Sequence, residues 1–545
     1  MAITQAAVAS IDRFVEQWRK TSNIPGVVLG ITDRDKTLRV SAYGYSNVDA
    51  RIPPTPNTLF QIGSISKSFA CLLLLQMRDE GLVDLRKPVK SYLPWLEIRS
   101  KFRPINLHHL MTHTAGIPGS ILPPGDQSSE VRNLSGLETS SAPGDFYNYS
   151  NAGYAMLGLV VEEVLGIGYE DALKTRILRP IGMSSATTSI SSEIRKRLAV
   201  GYVPLHDDRP IARDCPLAPA PWIEFNTAAG PISATAGEMT KYLRLLMNRG
   251  AYSRSRIVSE DGFNLMIRKH ARDKKAPPDF GWYGYGLCVG KKSGHLMVAH
   301  SGGTIGFTTD MLVDMTSSFG VVVLTNSLSL SRIWEPSPSD FIIRTLNAQS
   351  KGASLPPVPP RCDPLRVKNP ADYVGVYRKP GKALRVHAKE KHLFLKSGKV
   401  SIVLEPRGKD IFLANGPEYG LCLMVFGRKN GKVVDLCHGS DWYTNENYTG
   451  PSGFDYPSDW EAYTGHYRSF NPWYSNFRVV LRKGRLVLID PVGEVEEPLV
   501  LLPDGGFRVG KDKRLPERVR FDSILDGKAT RMWYSGEAFY RTFTP

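Results

Sequence analysis

The chain has 545 residues, too many for one hydrophobic core, so two or more domains are expected. A composition of 42% hydrophobic and 22% charged residues excludes a disordered or fibrous protein. The net charge of +16 favours anionic substrates or surfaces, but no helix-turn-helix pattern, zinc-ligand spacing or RNA-binding aromatic motif accompanies it, so nucleic acid is not an expected partner.

The start, Met-Ala-Ile-Thr-Gln, lacks the basic and apolar regions of a secretory signal. The longest apolar run, near Phe69 to Leu75, is far short of the roughly 20 residues a spanning helix needs. The expectation is a cytoplasmic protein with no membrane partner, or a periplasmic one if a leader has been removed. Residues 6–20 repeat apolar positions at three and four, which predicts an amphipathic helix. Gly26–Ile31 and Leu38–Tyr43 read as strands joined by a turn around Asp33–Asp35. A buried helix follows Ser64 and places Cys71 in a core. Asn151–Leu165 is a second helical stretch, and strands at 284–290, 295–300, 306–314 and 318–325 follow in hairpin order. The basic run Arg268–Lys275 reads as a solvated loop. Helices on both sides of a largely antiparallel sheet give an α+β domain over residues 1–348.

Residues 349–366 are proline-dense and predict an extended linker. Beyond it, short alternating segments are separated by turn signals such as Asn430-Gly431 and Asp504-Gly505. Ala371-Asp372-Tyr373-Val374-Gly375-Val376-Tyr377 recurs as Glu461-Ala462-Tyr463-Thr464-Gly465-His466-Tyr467, and each copy runs into two strands. Two small antiparallel β-barrels are expected, over 367–455 and 456–545. The six cysteines (Cys71, Cys215, Cys288, Cys362, Cys422 and Cys437) are scattered without a CxxC and read as free thiols. Asn447-Tyr448-Thr449 fits the N-glycosylation pattern, which matters only in a secreted protein.

Chemistry concentrates in three places. Ser64 and Lys67 are three apart at a helix start, so they share a face and the amine reaches the serine oxygen. A free serine is a weak nucleophile and needs an adjacent base. A lysine serves if desolvation lowers its pKa. The helix N-terminus adds free N–H groups that favour an oxyanion. This SxxK pair alone is weak, since a capping serine with a solvated lysine has the same sequence. Tyr149-Ser150-Asn151, on a turn before a helix, supplies a phenol for proton relay. It also supplies an amide, Asn151, to hold a substrate carbonyl and the lysine. Tyr147 is a rival for the phenol's role, although its frame puts another phenol where the asparagine belongs. His300-Ser301-Gly302-Gly303 is the third place: glycines let a substrate backbone approach, an edge strand pairs with a peptide, and the N–H groups of Gly303 and Ser64 form an oxyanion hole.

With these motifs in this order, residues 5–347 resemble the penicillin-recognising serine hydrolases of the class C β-lactamase and S12 peptidase type. Phe60–Lys67, Leu110–Pro118, Tyr149–Tyr154 and His300–Gly303 carry the resemblance. It implies that Ser64 is acylated, that Lys67 and Tyr149 share proton transfer, that water deacylates, and that no metal or cofactor takes part. His113 is tempting as a base, but in this family its segment looks structural. The penicillin-targeted members usually carry a lysine in the third motif to bind the substrate carboxylate; here His300 stands in its place, and a largely neutral imidazole is a poorer anchor. Histidine there, with two C-terminal barrels, is similar to D-aminopeptidases with lipocalin-like barrels. The resemblance therefore implies a peptidase or amidase for small peptides, D-residue-containing or linearised non-ribosomal ones included. The alternatives are a promiscuous carboxylesterase or weak β-lactamase of the same fold, or a non-catalytic peptide-binding module. A small peptide or ester is the expected partner, and a homodimer is admitted. Residues 438–449 are the candidate barrel loop over the cleft, with Asp441 or Glu446 to pair a free amino terminus.

Overall fold

The computed structural model describes the chain except residues 1, 120–126, 137, 225–226, 329–335, 361–362 and 543–545. Cys362 and part of the expected linker therefore lie outside the described residues. The chain divides into two compact units. The first holds Met1–Val203, Leu217–Pro360 and Arg514–Pro516; the second holds Pro204–Pro216, Arg361–Lys513 and Glu517–Pro545.

In the first unit, helix α1 (Gln5–Thr21) starts where the Thr4 hydroxyl accepts from the Ala7 N–H. Strands β1 (Gly26–Asp33) and β2 (Thr37–Gly44) follow, then helix α2 (Ser66–Asp79), helix α3 (Asn151–Leu165) and helix α4 (Ala236–Met247). Strands β3 (Ala271–Arg272), β4 (Trp282–Tyr283), β5 (Cys288–Lys292), β6 (His295–Thr304), β7 (Phe307–Asp314) and β8 (Phe319–Thr325) precede helix α5 (Pro338–Ser350). The eight strands make one antiparallel sheet in the order β2-β1-β8-β7-β6-β5-β4-β3.

Strand alternation splits the sheet's side chains between two cores. Val27, Leu29 and Ile31 of β1 pack with Phe14 of α1 and Phe341 of α5. The Phe14 and Phe341 rings are 4.4 Å apart. Val28, on the opposite face, joins Val322, Leu324 and the residues of α2, α3 and α4. Each such fully buried side chain stabilises the fold by roughly 1.5–3 kcal/mol. The fold is thus the α+β arrangement expected, with helices on both sides of the sheet.

One strand differs from the sequence expectation. Residues 284–290 are not continuous strand, because a turn at Gly284–Leu287 separates β4 from β5. Gly286 adopts φ +67° there, and a Cβ on it would come within 2.7 Å of the Lys67 carbonyl oxygen and the Ser68 Cα. The turn is pressed against the first turn of α2, and only glycine fits both the conformation and the space. The basic run 268–275 is mostly exposed, with Ala271–Arg272 forming the edge strand β3. α5 runs to Ser350, and residues 353–360 have no regular structure.

The second unit carries two closed eight-stranded antiparallel barrels. Their strands run from Gly375–Lys379 to Asp441–Thr444 and from Gly465–Arg468 to Glu537–Arg541. The repeated sequence has a repeated job. Tyr377 Oη donates to the Tyr373 carbonyl at 2.9 Å, and Tyr467 Oη donates to the Tyr463 carbonyl at 2.8 Å. In each copy a buried tyrosine ties the first strand to the short helical turn before it. Within this unit Asp441 pairs with Lys379 and accepts from Tyr443, so its carboxylate is already engaged. Residues 438–449 belong to the second unit. Cys71 is fully buried with Sγ 3.3 Å from the Tyr154 hydroxyl, and the five described cysteines are free thiols. Among the described residues no single helix is long and apolar enough to cross a membrane.

Candidate active site

Ser64 sits in a single 3₁₀ turn, Gly63–Ile65, that leads directly into α2. Its hydroxyl is half-buried. Lys67, one turn on, is fully buried, and its Nζ lies 3.0 Å from Ser64 Oγ and donates to the Ala229 carbonyl at 2.7 Å. Burial pulls the Lys67 pKa down to about 7, against the opposing field of Glu130. A large part of the amine is therefore neutral near pH 7, with a lone pair available to the serine proton.

Gly63 explains how the serine's backbone meets the third motif. Its φ is +53°, and a Cβ there would stand 2.7–3.0 Å from the backbone of Gly303. The two chains touch at a point that tolerates no side chain. Gly302 is equally tight, since its Cβ would fall 1.9 Å from the Ile62 carbonyl oxygen. The Thr309 hydroxyl fixes that carbonyl by donating to it at 2.9 Å. Gly303 is different: a Cβ would meet nothing within 4 Å. The open side of β6 is thus at Gly303 and the packed side at Gly302. β5 pairs with β6 only as far as Ala299, so among the described residues 300–304 pair with β7 alone and leave one edge unpaired. The break at residues 284–287 is what shortens β5 and frees this edge.

His300 is 5% exposed, and both of its ring nitrogens are engaged. Nδ1 is 2.6 Å from the Ser301 carbonyl oxygen and must donate to it; Nε2, 3.0 Å from the Tyr283 hydroxyl, is left to accept. Burial lowers its pKa to about 4, helped by the positive field of Lys67 and resisted by the Ser301 carbonyl. The imidazole is neutral and carries no spare donor for a carboxylate. The Ser301 side chain is exposed.

Tyr149 is half-buried, and the Lys67 Nζ stands 4.9 Å from its ring centroid. Burial raises the phenol's pKa, while a hydrogen bond to Ser64 pulls the other way. The phenol is protonated at neutral pH, so it is a proton donor at rest. Tyr147 packs against Tyr283 and His113, with centroids 5.6 and 5.8 Å away, and burial raises its pKa too. The Asn151 N–H donates to the Gly119 carbonyl at 2.6 Å; the lysine's partners are Ser64 and Ala229, not the Asn151 amide.

The structure therefore gathers Ser64, Lys67, Tyr149, Asn151 and the 300–303 strand in one unit, and adds three residues that the sequence pattern does not mark. Tyr283 holds His300 in its neutral tautomer. Ala229 supplies the carbonyl that orients Lys67. Buried Gln127 accepts from the Ala228 N–H at 2.9 Å and so fixes that carbonyl's neighbour. A backbone carbonyl has no sequence signature. Tyr283 is one of several aromatic residues between glycines in Gly281–Gly286, which signals a turn but no partner.

The Beta-lactamase family model matches residues 11–333. Protein flp of Staphylococcus aureus (strain COL) is 24% identical over 336 residues, which are 59% of this chain and 64% of flp. The chain thus spans somewhat less than two thirds of that relative. An octameric penicillin-binding protein homologue from Pyrococcus abyssi superposes with a TM-score of 0.58 and 26% identity, covering 80% of this chain and 99% of its own. D-amino acid amidase from Ochrobactrum anthropi SV3 shares the fold at a TM-score of 0.51 and 22% identity, covering 59% of this chain and 92% of its own. The match over more than half of its length, on a site with a buried lysine beside a serine, identifies the chain as a member of the Beta-lactamase family, with the fold of the penicillin-recognising serine hydrolases.

Proposed function

We propose that the protein is a peptidase or amidase that hydrolyses short peptides and aminoacyl amides through an acyl-enzyme on Ser64. The observation that carries this reading is the buried Lys67 amine 3.0 Å from Ser64 Oγ, with its pKa near 7. Neutral Lys67 takes the Ser64 proton as Oγ attacks the substrate carbonyl. The oxyanion then lies between the N–H groups of Ser64 and Gly303, a stabilisation that in such sites is worth roughly 10²–10³ in rate per donor. Protonated Tyr149 gives its proton to the departing amine and is recharged by the Lys67 ammonium. Water reverses the sequence and releases the acid.

Two features support amides of small peptides over β-lactams. The unpaired edge at residues 300–304 is suited to an extended peptide, which would add main-chain hydrogen bonds. His300, neutral and engaged at both nitrogens, offers no cation to a β-lactam carboxylate. A substrate need not carry a carboxylate, and esters remain chemically competent.

A panel of D- and L-aminoacyl amides, short peptides, p-nitrophenyl esters and nitrocefin, run with wild type and Ser64→Ala, tests this. Amide turnover with a Ser64-linked acyl mass is expected, and nitrocefin is expected to be the poorest substrate. Turnover of short-chain esters only would replace the amidase reading with an esterase. No acyl mass on any substrate would leave a peptide-binding module. Activity retained by Ser64→Ala would overturn the mechanism.

A further inference from the structure

His113 is 1% exposed and has φ +57°, the left-handed conformation that closes the helix before it, with the Thr114 N–H donating to the His109 carbonyl at 2.8 Å. It follows the short helix Leu107–Met111. Two of its acceptors meet one segment. Its carbonyl accepts from the Asn148 N–H at 2.8 Å, and its Nδ1 accepts from the Ser150 N–H at 3.0 Å. The residue between those two amides is Tyr149. The imidazole itself lies over the Tyr149 ring, with centroids 4.2 Å apart and planes inclined by 32°. One residue therefore grips the backbone on both sides of Tyr149 and covers the ring.

Because Nδ1 accepts, the imidazole proton is on Nε2, which is buried with no hydrogen-bond partner among the described residues. A buried N–H left unpaired costs about 1–3 kcal/mol. A buried donor without a partner is the opposite of what packing alone selects. Burial and the positive field of Lys67 keep the ring uncharged.

We infer that His113 is a positioning residue that fixes the Tyr149 phenol for proton transfer to the leaving group. It does not exchange the proton itself. This inference rests on the acyl-transfer reading above, and one consequence separates it from a general role in stability. An amine must be protonated as it leaves, whereas a nitrophenolate leaves without a proton. Loosening Tyr149 therefore harms amide acylation far more than activated-ester acylation.

The test measures single-turnover acylation of an aminoacyl amide and of a p-nitrophenyl ester by wild type, His113→Ala, His113→Asn, Tyr149→Phe and the Ala/Phe double variant. His113→Asn keeps a residue tolerant of the left-handed backbone and a side-chain acceptor, and it carries the test if His113→Ala does not fold by circular dichroism. We expect the amide rate to fall at least tenfold more than the ester rate, with KM within about threefold. His113→Asn should recover part of the loss. The double variant should be no slower than Tyr149→Phe alone, since effects through one group do not add. Parallel amide and ester losses, or a double variant whose losses multiply, would overturn the inference. A wild type that forms no Ser64 acyl adduct would instead overturn the reading beneath it.

Discussion

In the proposed mechanism, the pH dependence of acylation follows from one buried amine. Moving Lys67 from its ordinary value of 10.5 to about 7 means that the fold favours the neutral amine by about 5 kcal/mol. The base form is then about half populated at pH 7 and about 1% populated at pH 5, so kcat/KM should fall about 50-fold over that interval. The buried histidines do not account for such a limb: His300 titrates near 4, and His113 lies well below its ordinary 6.5. The assay is kcat/KM for a p-nitrophenyl ester from pH 5 to 9 at two ionic strengths. A single acid limb near 7 is expected, and salt should barely move it because the amine is fully buried. A flat profile from pH 5.5 to 8, or a limb above 9, would refute the assignment of Lys67 as the base.

Three further outcomes are expected. Gly63→Ala places a Cβ 2.7–3.0 Å from the Gly303 backbone at φ +53°, so it should lower kcat by about 10²-fold. Thermal melting should show about 1–2 kcal/mol of destabilisation, and a kcat within threefold of wild type would show that the close approach is dispensable. Acid should destabilise the first unit through His300: its folded pKa of about 4 lies below the ordinary 6.5, so its contribution is complete above 6.5 and is lost as pH falls toward 4, by about 3 kcal/mol. Denaturant titrations at pH 7 and pH 4 measure this, and equal stabilities would contradict it. In the barrels, Tyr377→Phe should cost about 1 kcal/mol. Arg541 also donates to the Tyr467 hydroxyl at 3.1 Å, so Tyr467→Phe should cost about 1–2 kcal/mol, and no loss by chemical denaturation would deny these bonds a role.

The motifs of the candidate site were legible because each has a local signature. Ser64 and Lys67 meet through helical spacing, and Tyr149-Ser150-Asn151 and His300-Ser301-Gly302-Gly303 are contiguous. The barrels were legible because a seven-residue segment repeats with its turn and strands. What could not be read is what the chain brings together from a distance. His113 and Tyr149 are ring neighbours, but nothing in either segment names the other. Tyr283 reaches His300 only because the sheet turns at Gly284–Leu287, and that turn exists because Gly286 meets the backbone of α2. Residues 284–290 include Gly284, Gly286 and Gly290, a break signal that the strand expectation passed over, while the partner of the resulting turn has no local signature.

The place of β1 in the sheet has a consequence for synthesis. This strand, near the beginning of the chain, lies between β2 and β8, and α1 is covered by α5. While the ribosome is still making residues before 319, β1 has an unpaired edge and Phe14 faces no Phe341. Helix α2, which follows Ser64, is translated well before the strand carrying His300 and Gly303. The proposed hydrolysis should therefore be absent from nascent chains until almost the whole first unit has emerged, and the exposed edge of β1 is where a chaperone or a misfolded neighbour would first bind.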